Sequence, residues 1–151
     1  MYTLISIEVI DLTAKEYLEQ ARQAKFHMDA LRVEYAMRLE AVTALRSPDL
    51  SDRVQRSPEQ DAAYVARLVA LDEDIKRLEQ ATLEWTDKCR EVSAKINALE
   101  DERARDLLIQ RYVGGNTWED IADAMGYSVR QIYRMHDWAL ELFKDKHSGR
   151  I

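Results

Sequence analysis

At 151 residues the chain has room for one ordinary domain, or for one small domain carrying an extended helical arm. Charged residues make up 33% of it, with only four glycines and two prolines, a composition that favours long helices over a turn-rich sheet. The net charge of -6 argues against coating nucleic acid by bulk attraction, yet screening over about 8 Å at cellular salt leaves room for a local basic face.

The opening "MYTLISIEVI" is apolar but lacks the basic residues that begin a signal peptide. Its alternation suits a short strand or an ordered tail. No apolar run approaches the roughly 20 residues of a membrane span. Cys89 is the single cysteine, which rules out a disulfide framework and a thiolate metal site and fits a reducing cytosol. The chain therefore reads as cytoplasmic.

Four helix starts carry their own punctuation. Thr13 with Glu16, Ser57 with Gln60 and Ser128 with Gln131 each fit the capping box, in which a hydroxyl and the fourth residue satisfy two orphan amides reciprocally. Thr117 with Asp120 is a weaker version. The first predicted helix runs over about 13–46, with Met28, Leu31, Tyr35, Val42 and Leu45 on one face and Arg38 interrupting it. A linker over 47–58, "SPDLSDRVQRSP", then breaks the pattern with two Ser-Pro pairs, and Pro58 suits the first position of the next helix.

In that second helix Tyr64, Leu68, Leu71, Ile75, Leu78, Thr82, Trp85, Cys89, Val92, Ile96 and Leu99 follow at alternating three- and four-residue steps. Five such heptads imply a coiled-coil partner, either the first helix folded back or a second copy of the chain. We expect a hairpin, with leftover apolar surface available for self-association. The domains are then 1–100, a helical hairpin or coiled-coil arm, and 101–151, a compact unit.

In the second unit "RARDLLIQRYV" is helical and closes on Gly114-Gly115. Helices over 117–125 and from 129 to about 145 follow, separated by a turn at Gly126. Small Ala122, Gly126 four residues on and Ile132 six further have the spacing of a helix-turn-helix. Ile121 and Met125 add contacts, and Met135, Ala139 and Leu142 continue the buried stripe. The other face of the last helix keeps Val129, Arg130, Gln131, Tyr133, Arg134 and Asp137.

Arg130 and Arg134, four apart, project side by side and can bond a guanine edge or clamp phosphates. Val129, Arg130 and Gln131 occupy the first turn, which reaches deepest in a recognition helix. Thr117 marks a helix N-terminus suited to a phosphate, and Ser128 starts the recognition helix beside them. Arginines so spaced are ordinarily a solvated face, but the helix-turn-helix spacing and paired caps turn the reading toward DNA. Trp118 and Trp138 read as packing, and Tyr133 as a backbone contact or a surface cover.

The remaining constellations are bland. His27, His136 and His147 lack metal-site spacing, Asp72 to Asp74 and Asp101-Glu102 read as solvated helix faces, and Cys89 as a small core hydrophobe. No phosphate loop or nucleophile triad is visible, so neither catalysis nor a cofactor is expected.

The stretch "LLIQRYVGGNTWEDIADAMGYSVRQIYRMHDWALELF" resembles region four of bacterial sigma factors. The whole layout is similar to small phage and prophage regulators of the RinA and ArpU type, including a "DRVQ-S" linker matched by Asp52 to Gln55 and Ser57. The resemblance implies an all-α regulator that binds double-stranded DNA, typically activates late phage genes and acts with RNA polymerase. It puts base reading at Val129, Arg130 and Arg134, with Gln131 and Tyr133 at flanking backbone positions. Sigma factors usually carry Arg and Glu where this chain has Val129 and Arg130, so the element read should differ. A packaging-recognition subunit of the small terminase kind and a structural adaptor that does not bind DNA are the rival readings.

Overall fold

The computed structural model describes residues 13–46 and 57–147. The apolar first decapeptide and the Asp52–Gln55 stretch lie outside these residues. The architecture is all-α: α1 (Ala14–Arg46), α2 (Pro58–Asn97), α3 (Glu102–Leu108) continuing into a π-helical turn (Ile109–Val113), α4 (Trp118–Met125) and α5 (Val129–His147).

All four capping boxes form. The Thr13 amide donates to Glu16 Oε2 at 2.9 Å while the Glu16 amide donates to Thr13 Oγ1 at 3.3 Å. Ser57 and Gln60 exchange the same pair of bonds at 3.1 and 3.3 Å. The Asp101 side chain starts α3 by accepting from the Ala104 amide at 3.1 Å. These bonds close within three residues of sequence, so each helix start is settled locally.

The chain divides into two compact units, and the boundaries fall inside both long helices. One unit comprises 24–87. Here α1 and α2 run antiparallel: Tyr35 lines a groove with Ile75, Leu78 and Thr82, and Arg38, further along α1, reaches Asp74, which precedes them in α2. Arg38, the residue that breaks the apolar stripe of α1, donates to both carboxylate oxygens of Asp74 at 2.7 Å. Arg77 binds the same carboxylate.

Asp74 is thus buried and paired, not part of a solvated face. Burial pushes its carboxyl upward, but the bonds from Arg77 and Arg38 outweigh this and hold it below its usual value of 3.8. The pair therefore contributes stability above that pH and loses it as pH falls through the lower folded value. The α2 seam is correspondingly rotated. Leu71, Asp74 and Ala81 are buried, whereas Leu68 and Ile75 from the expected heptad are 42% and 37% exposed.

The second unit joins 13–23 and 88–97 to everything from 98 to 147. Its core is one cluster in which Tyr17, Leu18 and Ala21 of α1 and Val92 and Ile96 of α2 pack with Leu107, Leu108, Ile121, Ile132 and Phe143. Tyr17 stacks on Phe143 with ring centroids 6.1 Å apart, and its hydroxyl donates to Glu91 at 2.5 Å. Burial first, and the bond to Glu91 second, push the Tyr17 phenol upward. Residues that the sequence assigned to the arm thus supply part of the core of the C-terminal unit.

Candidate nucleic-acid interface

The interface is built from the close of α3 onward. The helix widens into a π turn, with the Gly114 amide donating to the Ile109 carbonyl at 2.9 Å and the Asn116 amide to the Gln110 carbonyl at 3.0 Å. A Cβ on Gly114 would stand 2.9 Å from the Gln110 carbonyl oxygen, and Gly115 has φ of 72°, so both glycines of the pair are needed.

Thr117 then caps α4. Its hydroxyl accepts from the Asp120 amide at 3.2 Å and donates to Asp120 Oδ2 at 2.7 Å. Glu119 and Asp120 place two carboxylates in the first turn, so acidic side chains already complement this helix N-terminus. At the other end Gly126 takes φ of 74°, and the Tyr127 amide returns to the Ala122 carbonyl at 3.0 Å. Open space surrounds the Gly126 Cα, so backbone conformation, not crowding, calls for glycine.

Ser128 and Gln131 start α5 with reciprocal bonds of 2.9 and 3.3 Å. Both are exposed. Ile132 and Ile121 are fully buried and Ala122 nearly so, which locks α4 against α5. The buried stripe of α5 is Ile132, His136, Ala139 and Phe143, whereas Met135 and Leu142 are only half-buried. The sequence reading missed His136 and Phe143.

His136 is the polar member of that stripe. Its Nε2 lies 2.7 Å from the Tyr112 hydroxyl, and its ring packs edge-on to Trp118 at 4.8 Å. Burial lowers its pKa from 6.5 to about 4, against the weaker opposing pull of Asp137. Burial first, then Glu19, pushes the Tyr112 phenol up to about 12. At neutral pH both groups are uncharged, and the phenol can donate to a neutral imidazole.

Since the folded pKa of His136 is depressed, its contribution to stability is complete above about pH 6.5 and drains away as pH falls toward 4. The total is about 3 kcal/mol at roughly 1.4 kcal/mol per pKa unit. Urea melts across that range should show the decline, and His136→Phe should flatten it. An acid limb unchanged by that substitution would assign the loss to other groups.

The exposed face carries the candidate contacts. Arg130 and Arg134 are exposed, and neither forms a hydrogen bond or ion pair with another described residue. Tyr133 between them is 47% exposed, with its ring 5.2 Å from Trp118. Val129 is half-buried and packs against the core cluster, so less of it faces outward.

A stack that the sequence did not reveal borders this face. The Arg111 guanidinium sits 4.0 Å from the Trp118 ring centroid and donates to the Asn116 carbonyl at 2.9 Å. Burial first, then the charge of Arg22, pulls its pKa below 12.5. Trp118 is therefore a packing residue whose ring neighbours the Arg111 cation and the rings of Tyr133 and His136. Trp138 is 37% exposed, with the Arg103 guanidinium 5.8 Å from its ring. Among the described residues no group of three or more His, Cys, Asp or Glu is placed to hold a metal ion. No helix there is long and apolar enough to cross a membrane.

The family described as "Protein of unknown function (DUF1492)" matches residues 44–143, more than half of the chain. The chain belongs to this family. The match runs from the end of α1 through α2, α3 and α4 and on to Phe143, four residues short of the end of α5. No curated protein and no solved structure matches the chain.

Proposed function

We propose that this DUF1492 member is a sequence-specific DNA-binding regulator of phage or prophage transcription, a late-gene activator working with RNA polymerase. One observation carries the reading. On the second helix of a capped, core-locked helix-turn-helix, Arg130 and Arg134 stand exposed with no partner among the described residues. A guanidinium with no intramolecular use, four residues from another, suits recognition of a guanine edge or a phosphate pair.

The charge distribution supports the same reading. From residue 101 onward nine acidic residues face eight basic ones, so most of the net charge of -6 lies in the preceding segment. Affinity would then come from a few local contacts and be modest and salt-sensitive. Gln131 contributes less, since its carbonyl oxygen is engaged by Ser128, and Thr117 is committed to Asp120.

Recovery of bound fragments from phage and host DNA, in cells or with purified protein, tests the proposal. A small set of shared sites near promoters is expected. Uniform recovery, or none, would overturn sequence-specific regulation. Sites confined to a packaging locus would transfer the protein to the packaging class.

A further inference from the structure

The later turns of α5 carry a surface that DNA binding leaves unused. Met135, Trp138 and Leu142 follow at steps of three and four residues, with Trp138 37% exposed and the other two half-buried. Trp138 and Leu142 line an open groove of about 650 Å³, together with Leu99, Glu100 and Asp101 from the α2–α3 junction and Asp145 and Lys146 of α5. At about 100° per residue the two apolar side chains of α5 lie roughly 80° around the helix from the midline of Arg130 and Arg134. All of these residues belong to one compact unit.

Charge decides what the groove admits. Two of its carboxylates are engaged: Glu100 stands 3.8 Å from Lys146 Nζ, and Asp101 caps α3 and lies 3.7 Å from Arg103. The remaining acid of the lining belongs to a row. Asp137, Glu141 and Asp145 are exposed at four-residue steps and continue the face that Arg130 and Arg134 begin. Glu141 and Asp145 form no hydrogen bond or ion pair with another described residue. Asp137 approaches the His136 ring at 3.9 Å, but burial keeps that ring neutral. The face is thus basic over its first two turns and acidic over the rest. Its acidic part repels phosphate, so neither a nucleic acid nor an anionic membrane suits the groove. A cation is already drawn to its edge: the Arg103 guanidinium sits 5.8 Å from the Trp138 ring centroid, within reach of cation–π attraction.

We infer that this groove docks a cationic amphipathic helix of a partner protein. Apolar side chains of that helix seat against Trp138, Leu142 and Leu99, and its Lys or Arg residues, four apart, meet Glu141 and Asp145. A seam at three- and four-residue steps, flanked by charges at four-residue steps, is the pattern one helix presents to another. Opposite charge along the flank selects the partner. The net charge of -6 favours a basic protein over a second copy of this chain. The inference does not rest on DNA binding, since Arg130 and Arg134 take no part in it.

Selection from a library of randomised helical peptides on the full-length protein tests the proposal. Recovered peptides should combine bulky apolar residues at three- and four-residue steps with Lys or Arg beside them. Fluorescence anisotropy of a labelled peptide should show affinity reduced about thirtyfold by Trp138→Ala, the scale of a tryptophan anchor. Glu141→Lys with Asp145→Lys should also weaken binding; both side chains are exposed, so the far-ultraviolet helical spectrum should not change. Arg130→Ala with Arg134→Ala should leave peptide affinity as it was. Recovery of no peptide or of acidic ones, or full affinity in the double lysine variant, would overturn the proposal. So would loss of binding in the double alanine variant, or micromolar self-association of the parent that Trp138→Ala abolishes, which would assign the groove to a second copy.

Discussion

Replacing Arg130 and Arg134 together with alanine should weaken binding to the protein's own DNA site by about a hundredfold or more. Each contact of an arginine to a base edge or phosphate contributes on the order of 1–3 kcal/mol. The substitutions should leave the fold intact, because both side chains are exposed and neither is bonded to another described residue. The single variants separate the two kinds of contact. Loss of a base contact relaxes preference at one position of the site, whereas loss of a phosphate contact weakens all sequences alike and lowers the salt slope by about one. Fluorescence anisotropy on recovered sites at several salt concentrations distinguishes these outcomes. Undiminished affinity in the double variant would remove α5 from the DNA interface.

The second large effect concerns the root of the arm. Leu18→Ala should destabilise the helix-turn-helix unit by about 2–5 kcal/mol, the usual range for emptying a fully buried leucine site. A fragment comprising only 101–151 should fail to melt cooperatively. It would expose faces of Leu107, Phe143 and their neighbours that Tyr17, Leu18, Val92 and Ile96 now share a core with. Urea denaturation followed by tryptophan fluorescence suits the measurement, as Trp118 and Trp138 both belong to the helix-turn-helix segment. Cooperative unfolding of the short fragment at the parent's urea midpoint would show that the helix-turn-helix does not depend on the arm root.

The two effects bear on each other. Under the DNA-binding reading proposed above, α5 must hold its arginines in fixed positions to discriminate bases, and the core beneath it does so. That core reaches back through Phe143 to Tyr17, which places one face of α1 in the same compact unit as Arg130. Substitutions at Tyr17 or Leu18 should therefore alter the proposed DNA affinity through the stability of this core.

By itself the sequence determined most helix starts and turns whose physics closes within a few residues, although the Asp101 cap of α3, read as a solvated face, and the π turn escaped it. The four capping boxes at Thr13, Ser57, Thr117 and Ser128 each hold both partners within three positions. The Gly115 and Gly126 turns answer to backbone conformation alone, and the spacing from Ala122 to Ile132 is the period of two crossing helices. Exposure of Arg130 and Arg134 followed from their place opposite that stripe.

Tertiary structure decided the fate of charges and rings whose partners are distant. Asp74 is buried because Arg38, 36 positions away, reaches it. His136 is kept neutral by its burial, and Tyr112, 24 positions away, meets its ring nitrogen at 2.7 Å. The arm root joins the C-terminal core through apolar side chains, Leu18, Val92 and Ile96, whose partners are likewise distant in sequence. A buried polar group is tolerated only where another element satisfies it, and no local pattern records which element that will be.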